Sequence, residues 1–86
     1  NMLWSDESPI EAKQGRLVAI AVSAAIRCEY CIAAQIEFAK KVGATDDEIK
    51  AAIQIAAEIQ RFSTLLYGNE FDVETFNKII GRDNKE

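Results

Sequence analysis

At 86 residues the chain has room for one compact domain, and a chain this short buries only about 60–65% of its unfolded surface, so a lone core is marginal unless assembly supplements it. Hydrophobic residues at 49% and charged residues at 28% give a globular composition, which excludes the disordered, collagenous and disulfide-scaffold classes. Ten Lys and Arg against fourteen Asp and Glu leave a net charge of −4, which argues against nucleic acid as a partner, and the absence of His removes the commonest general base, nitrogen metal ligand and pH switch.

Asn1 precedes Met2 and reads as a residue left by a vector, and no basic region followed by an apolar run suggests a secretory leader. Ser8-Pro9-Ile10-Glu11 has the form of a capping box with proline at the first helical position, which predicts a helix from Pro9. From Leu17 to Ile26 every residue but Ser23 is apolar, which predicts a helix buried on most sides. The run stops at Arg27, too short to span a bilayer, so no membrane partner is expected and the cytoplasm is the default location. No helix breaker follows, and by pattern alone one helix could continue to about Val42, where Lys40, Lys41 and Gly43 supply a carboxyl-terminal end.

Thr45-Asp46-Asp47-Glu48 is a second capping box. Behind it Ile49, Ala52, Ile53, Ala56, Ala57 and Gln60 recur at helical spacing as a buried stripe, which Arg61, Phe62 and Ser63 interrupt. Leu65, Leu66 and Tyr67 lead to Gly68-Asn69, a turn that ends another helical stretch. Asp72 caps a last short helix with Phe76, Ile79 and Ile80 on its apolar side and Gly81 at its close, and the polar tail from Arg82 to Glu86 is expected to fray. Nothing alternates with strand period, so the class is all-α.

The chain's two cysteines stand in Cys28-Glu29-Tyr30-Cys31, close enough on one helix to join as a disulfide without moving the fold. Three readings are open. The pair is half of a structural zinc site completed by a second subunit, or two core residues packed as small hydrophobes, or a dithiol that cycles with its disulfide in a reducing compartment. A helix amino terminus and Arg27 favour a thiolate here, and Glu29 opposes it.

Leu17-Val18-Ala19-Ile20-Ala21-Val22-Ser23, then Cys28-Glu29-Tyr30-Cys31-Ile32-Ala33-Ala34, then Gly43-Ala44-Thr45-Asp46-Asp47-Glu48-Ile49 together resemble the alkylhydroperoxidase D-like branch of the carboxymuconolactone decarboxylase family. The resemblance covers roughly Glu11 to Leu66 and implies a small orthogonal helical bundle, with residues 1–86 forming a single domain of that kind. It also implies a break near Arg27, between the first helix and one opened by the Cys pair, and assembly as a trimer or hexamer. By the same resemblance Cys31 is the attacking thiol and Cys28 the resolving one, and the substrate is a small hydroperoxide or disulfide reduced at the expense of a thiol donor. No cofactor and no metal ion are expected.

Peroxidase members carry a glutamate twelve residues before the first Cys and a histidine four after the second, a proton relay. Arg16 and Gln35 hold those positions here, and neither accepts a proton at neutral pH. Arg16 reads equally as a solvated or ion-paired helix residue, and Gln35 as a surface glutamine able to donate a hydrogen bond to a thiolate. Tyr30 is expected at a subunit contact rather than in acid chemistry, and Glu37, Glu48 and Glu58 on solvated helix faces or caps. The expected function is therefore thiol–disulfide oxidoreductase or alkylhydroperoxidase-like chemistry without the relay. Its alternative is a non-catalytic oligomeric or binding protein that kept the fold. Decarboxylation finds little support in a His-free chain with one candidate Arg.

Overall fold

The computed structural model describes residues 2–82; Asn1 and the tail beyond Arg82 lie outside them. A 3₁₀ turn, Met2–Trp4, precedes four helices: α1 Ala12–Ala25, α2 Glu29–Lys41, α3 Asp46–Gly68 and α4 Val73–Ile80. The all-helical class expected from the sequence is the class found. Helix α1 is the hub, packing on α2, on α3 and on the 3₁₀ turn, and α4 makes no comparable contact with any of them.

The predicted start of the first helix is wrong by three residues. Ser8 caps no helix: its hydroxyl accepts the Ile10 amide at 3.2 Å in a local turn, and α1 opens at Ala12 behind Glu11, whose side chain makes no capping bond. Serine competes for nearby backbone amides outside helices, and here that local turn wins over the capping box.

The break between α1 and α2 is present, and all four helices close by one device. At the end of α1 the Arg27 amide bonds to Ala24 and the Cys28 amide to Ser23, with Arg27 left-handed at φ 58°. The same pair of bonds closes α2 around Gly43, α3 around Glu70 and α4 around Gly81, each at positive φ. This is the Schellman closure, for which glycine is the usual residue. Glycine supplies it at two ends, which the sequence announces, and Arg27 and Glu70 supply it at the other two, which the sequence does not.

The second capping box forms as predicted: Thr45 Oγ1 accepts the Glu48 amide at 3.1 Å and Glu48 Oε1 accepts the Thr45 amide at 2.9 Å. Lys13 Nζ reaches Glu48 Oε2 at 3.0 Å and ties α1 to the first turn of α3. The Thr45 amide, with Lys13 behind it, holds the Glu48 carboxyl below the ordinary glutamate range. The folded chain therefore binds that proton less tightly than the unfolded chain does, so the stabilisation is complete above the ordinary carboxylate range and is lost on acidification through it. Melting followed by circular dichroism should show Glu48→Gln flattening the acid limb of stability against pH. Thr45→Ala should cost about 1 kcal/mol at neutral pH.

Of the predicted stripe on α3, Ile49, Ala52 and Ala56 are buried, whereas Ile53, Ala57 and most of the helix beyond are exposed. Gln60 is half-buried, and its amide donates to the Ala25 carbonyl at 3.1 Å, holding the end of α1. Arg61, Phe62 and Ser63 interrupt the stripe and not the helix, since α3 runs unbroken to Gly68. The core is small: Ile20, fully enclosed, with Ala39, Ala44, Ile49 and Ala52, flanked by Leu17, Ile32 and Ile36. Ile20→Ala should cost about 2–5 kcal/mol, read from urea denaturation, because its neighbours on three elements leave the site little room to collapse.

Candidate functional site

Cys28 sits at the seam between two helices. Its amide completes the closure of α1 on Ser23, its backbone is extended at φ −91° and ψ 104°, and it is the N-cap residue of α2. Its Sγ accepts the Cys31 amide at 3.2 Å, filling the role an oxygen side chain usually fills at a helix start. Cys28 and Cys31 are joined as a disulfide with Cα atoms 5.2 Å apart. The pair occupies the first turn of a 13-residue helix, where unpaired amides and the helix dipole favour negative charge on sulfur. Glu29 is exposed in the same turn, and the Arg27 guanidinium turns back to the Ala25 carbonyl at 3.1 Å.

Both cysteines are half-buried. A shallow depression of about 420 Å³ lies beside the pair, lined by Ser23, Ala24, Arg27, Cys28, Glu29 and Ile32, so the open side of the disulfide is at Cys28. Tyr30 points away into solvent and is 86% exposed in the single chain. Among the described residues no group of three or more His, Cys, Asp or Glu could hold a metal ion.

Arg16 and Gln35, twelve residues before and four after the pair, are brought together. Arg16 Nη1 donates to Gln35 Oε1 at 2.9 Å, between α1 and α2. The guanidinium lies 3.7 Å from the centre of the Trp4 ring and 4.7 Å from that of Phe38, clamped between two aromatic residues. Arg16 is half-buried and bonded to Gln35 rather than paired with a carboxylate, and Gln35 is half-buried rather than a surface residue. Gln35 is one helical turn past Cys31 on α2, which puts this cation within about a turn of the disulfide.

Sequence reasoning missed the clamp. Phe38 carries a partial signal, since it lies three residues after Gln35 and hence on the same side of α2. Trp4 carries none, because its ring reaches Arg16 from the 3₁₀ turn through tertiary packing alone. The carboxylates fall as expected: Glu48 caps α3, Glu58 pairs with Arg61 at 2.9 Å, and Glu37 is exposed.

The sequence profile of the carboxymuconolactone decarboxylase family matches residues 1–70, which include α1, α2, α3 and the whole of this site. The chain belongs to that family. A curated relative, "Uncharacterized protein 4 in cox locus" of Paracoccus denitrificans, is 28% identical over 64 residues, which is 74% of this chain. The matched segment spans 58% of that relative's length. No solved structure is a significant match. As a carboxymuconolactone decarboxylase family chain it carries the C-x-x-C pair at disulfide distance, together with an arginine–glutamine hydrogen bond at the two positions where peroxidase members carry their relay.

Proposed function

We propose that the chain is a thiol–disulfide oxidoreductase of the alkylhydroperoxidase D-like kind, in which Cys28 and Cys31 alternate between dithiol and disulfide. The observation that carries this reading is the bonded Cys28–Cys31 pair in the first turn of α2, half-buried and bordered by an open depression. In the oxidative half-reaction the Cys31 thiolate attacks one sulfur of a substrate disulfide and expels a thiolate, and the Cys28 thiol then closes the ring and releases the second substrate thiol. Two electrons and two protons leave the cysteine pair and reduce the substrate. A small thiol donor, of the type a reducing cytoplasm supplies, returns them by the reverse exchange.

A hydroperoxide would take the same two electrons, yielding an alcohol and water, but it needs a proton removed from the thiol and another given to the leaving oxygen. Arg16 and Gln35 can do neither. Disulfide exchange therefore ranks above peroxide reduction, and the assembly is taken as a homo-oligomer, a trimer or hexamer. The Arg16–Gln35 bond also favours a second reading, a non-catalytic family member that keeps the fold.

Catalytic amounts of the protein, assayed with dithiothreitol as donor and a model aromatic disulfide or cumene hydroperoxide as acceptor, separate the two. Turnover of the disulfide well above the uncatalysed background, with slow turnover of the hydroperoxide, is the expected result. No turnover of either acceptor, with native thiols inert to an alkylating reagent, would leave the non-catalytic reading standing.

A further inference from the structure

The single chain is too open for its size. A folded chain of 9.6 kDa is expected to expose about 5,100 Å² and this one exposes 6911 Å², an excess of roughly 1,800 Å². Its radius of gyration is 16.1 Å, against about 12 Å for a compact domain of this length. Exposed apolar residues run along every helix, and two apolar surfaces among them match each other in character. Helix α4 has Val73, Phe76, Ile79 and Ile80 on one side, and Val73, Ile79 and Ile80 are each more than half exposed. A groove between α1 and α3, of about 220 Å³, is lined by Leu17, Val18, Ala21, Val22, Ala52 and Ile55 with no polar surface.

Helix α4 does not fill that groove on its own chain, where it makes no contact comparable to those among α1, α2 and α3. Ile55 precedes the end of α3 at Gly68 by thirteen residues, about 20 Å of helix, while the eight residues of α4 span about 12 Å. The link between them is locked by the bonds from Glu70 to Tyr67 and from Phe71 to Leu66. A bilayer surface suits α4 poorly, since its polar side carries one Glu and one Lys instead of a basic row. An excess near 1,800 Å² per chain falls within the area that each partner of an obligate homo-oligomer buries, and a second copy is the one partner always present in equal amount.

We infer that α4 of one chain docks in the α1–α3 groove of a second copy, with Ile79 and Ile80 seated over Val18, Val22 and Ile55. This rests on the homo-oligomeric assembly proposed above and assigns its contact. The Cys28–Cys31 depression and the groove share no lining residue, although Val22 of the groove adjoins Ser23 of the depression along α1.

Two full-length variants in a Cys28→Ser, Cys31→Ser background, one with Val18→Cys and the other with Ile79→Cys, are refolded together and oxidised. A covalent dimer of the two different chains is expected, and its absence overturns the docking. In parallel, sedimentation of the unmodified protein at micromolar concentration should give a multiple of the 9.6 kDa chain mass, and Ile79→Glu with Ile80→Glu should drop it to the single-chain mass with its helical circular dichroism retained. A single-chain mass for the unmodified protein overturns assembly and docking together, including the case where that species binds phosphatidylserine vesicles through α4. An oligomer that survives the double Glu change overturns the docking alone.

Discussion

Arg16→Glu combined with Gln35→His is expected to raise hydroperoxide turnover by about a hundredfold or more, the usual worth of a positioned general base. The two side chains are already within hydrogen-bond reach, at 2.9 Å, so the replacements would form a carboxylate–imidazole pair one turn beyond Cys31. The imidazole could then take the thiol proton and return it to the leaving oxygen. The gain should follow a rising limb in the pH profile as the imidazole loses its proton, which a merely structural change would not produce. Removing Arg16 also removes the stacking on Trp4 and Phe38, so the variant should melt lower than the parent. Unchanged turnover in a folded double variant would mean that approach to the sulfur, and not the missing base, limits peroxide reduction.

Cys31→Ser should bring disulfide turnover down to the uncatalysed rate, since the attacking thiolate of the proposed reaction is then gone. Cys28→Ser should stop after a single attack when no donor thiol is present, because Cys31 still attacks but the chain holds no resolving thiol; with dithiothreitol present, the donor itself releases the second half of the substrate and part of the turnover returns. Stalled mixed disulfide on Cys31 of the Cys28→Ser protein, detected by intact mass, distinguishes the two roles. Accumulation on Cys28 of the Cys31→Ser protein, and none in the converse variant, would reverse the assignment. That reversal has a structural motive, because the open depression borders Cys28. Each serine keeps an oxygen able to cap or pack in place of sulfur, so both variants should fold.

What the sequence made legible follows its local chemistry. Thr45 and Glu48, Asp72, Gly43 and Gly81 each form the cap or closure their residue types specify, because these devices depend on a few neighbouring backbone groups. Ser8-Pro9-Ile10-Glu11 misled for the same reason, since Ser8 found a nearer amide at Ile10 than the helix offered. The break at Arg27 was invisible to propensity. A non-glycine residue there enters the left-handed region only because the bonds to Ser23 and Ala24 hold it, and only the family resemblance supplied it.

At the site, the bonded Cys pair was legible from its spacing, whereas the clamped arginine was not. Arg16, Gln35, Phe38 and Trp4 meet across three elements, and nothing in the local pattern of any one of them announces the others. The exposure of Ile53, Ile55 and Ile59 along α3 has a similar origin. Helical spacing shows that a residue seeks cover, but not whether its own chain provides it.

All of the proposed chemistry depends on reversible oxidation of the Cys28–Cys31 pair, which titration of the native protein against glutathione redox buffers, with acid quench, alkylation and intact mass, reads out. One two-electron transition is predicted, in which each chain carries either two alkyl groups or none and the oxidised chain is lighter by two hydrogen atoms, without covalent dimer. A native chain whose cysteines take up no alkyl group under the most reducing buffer, or that shows no loss of two hydrogens under the most oxidising one, would exclude a redox role for the pair.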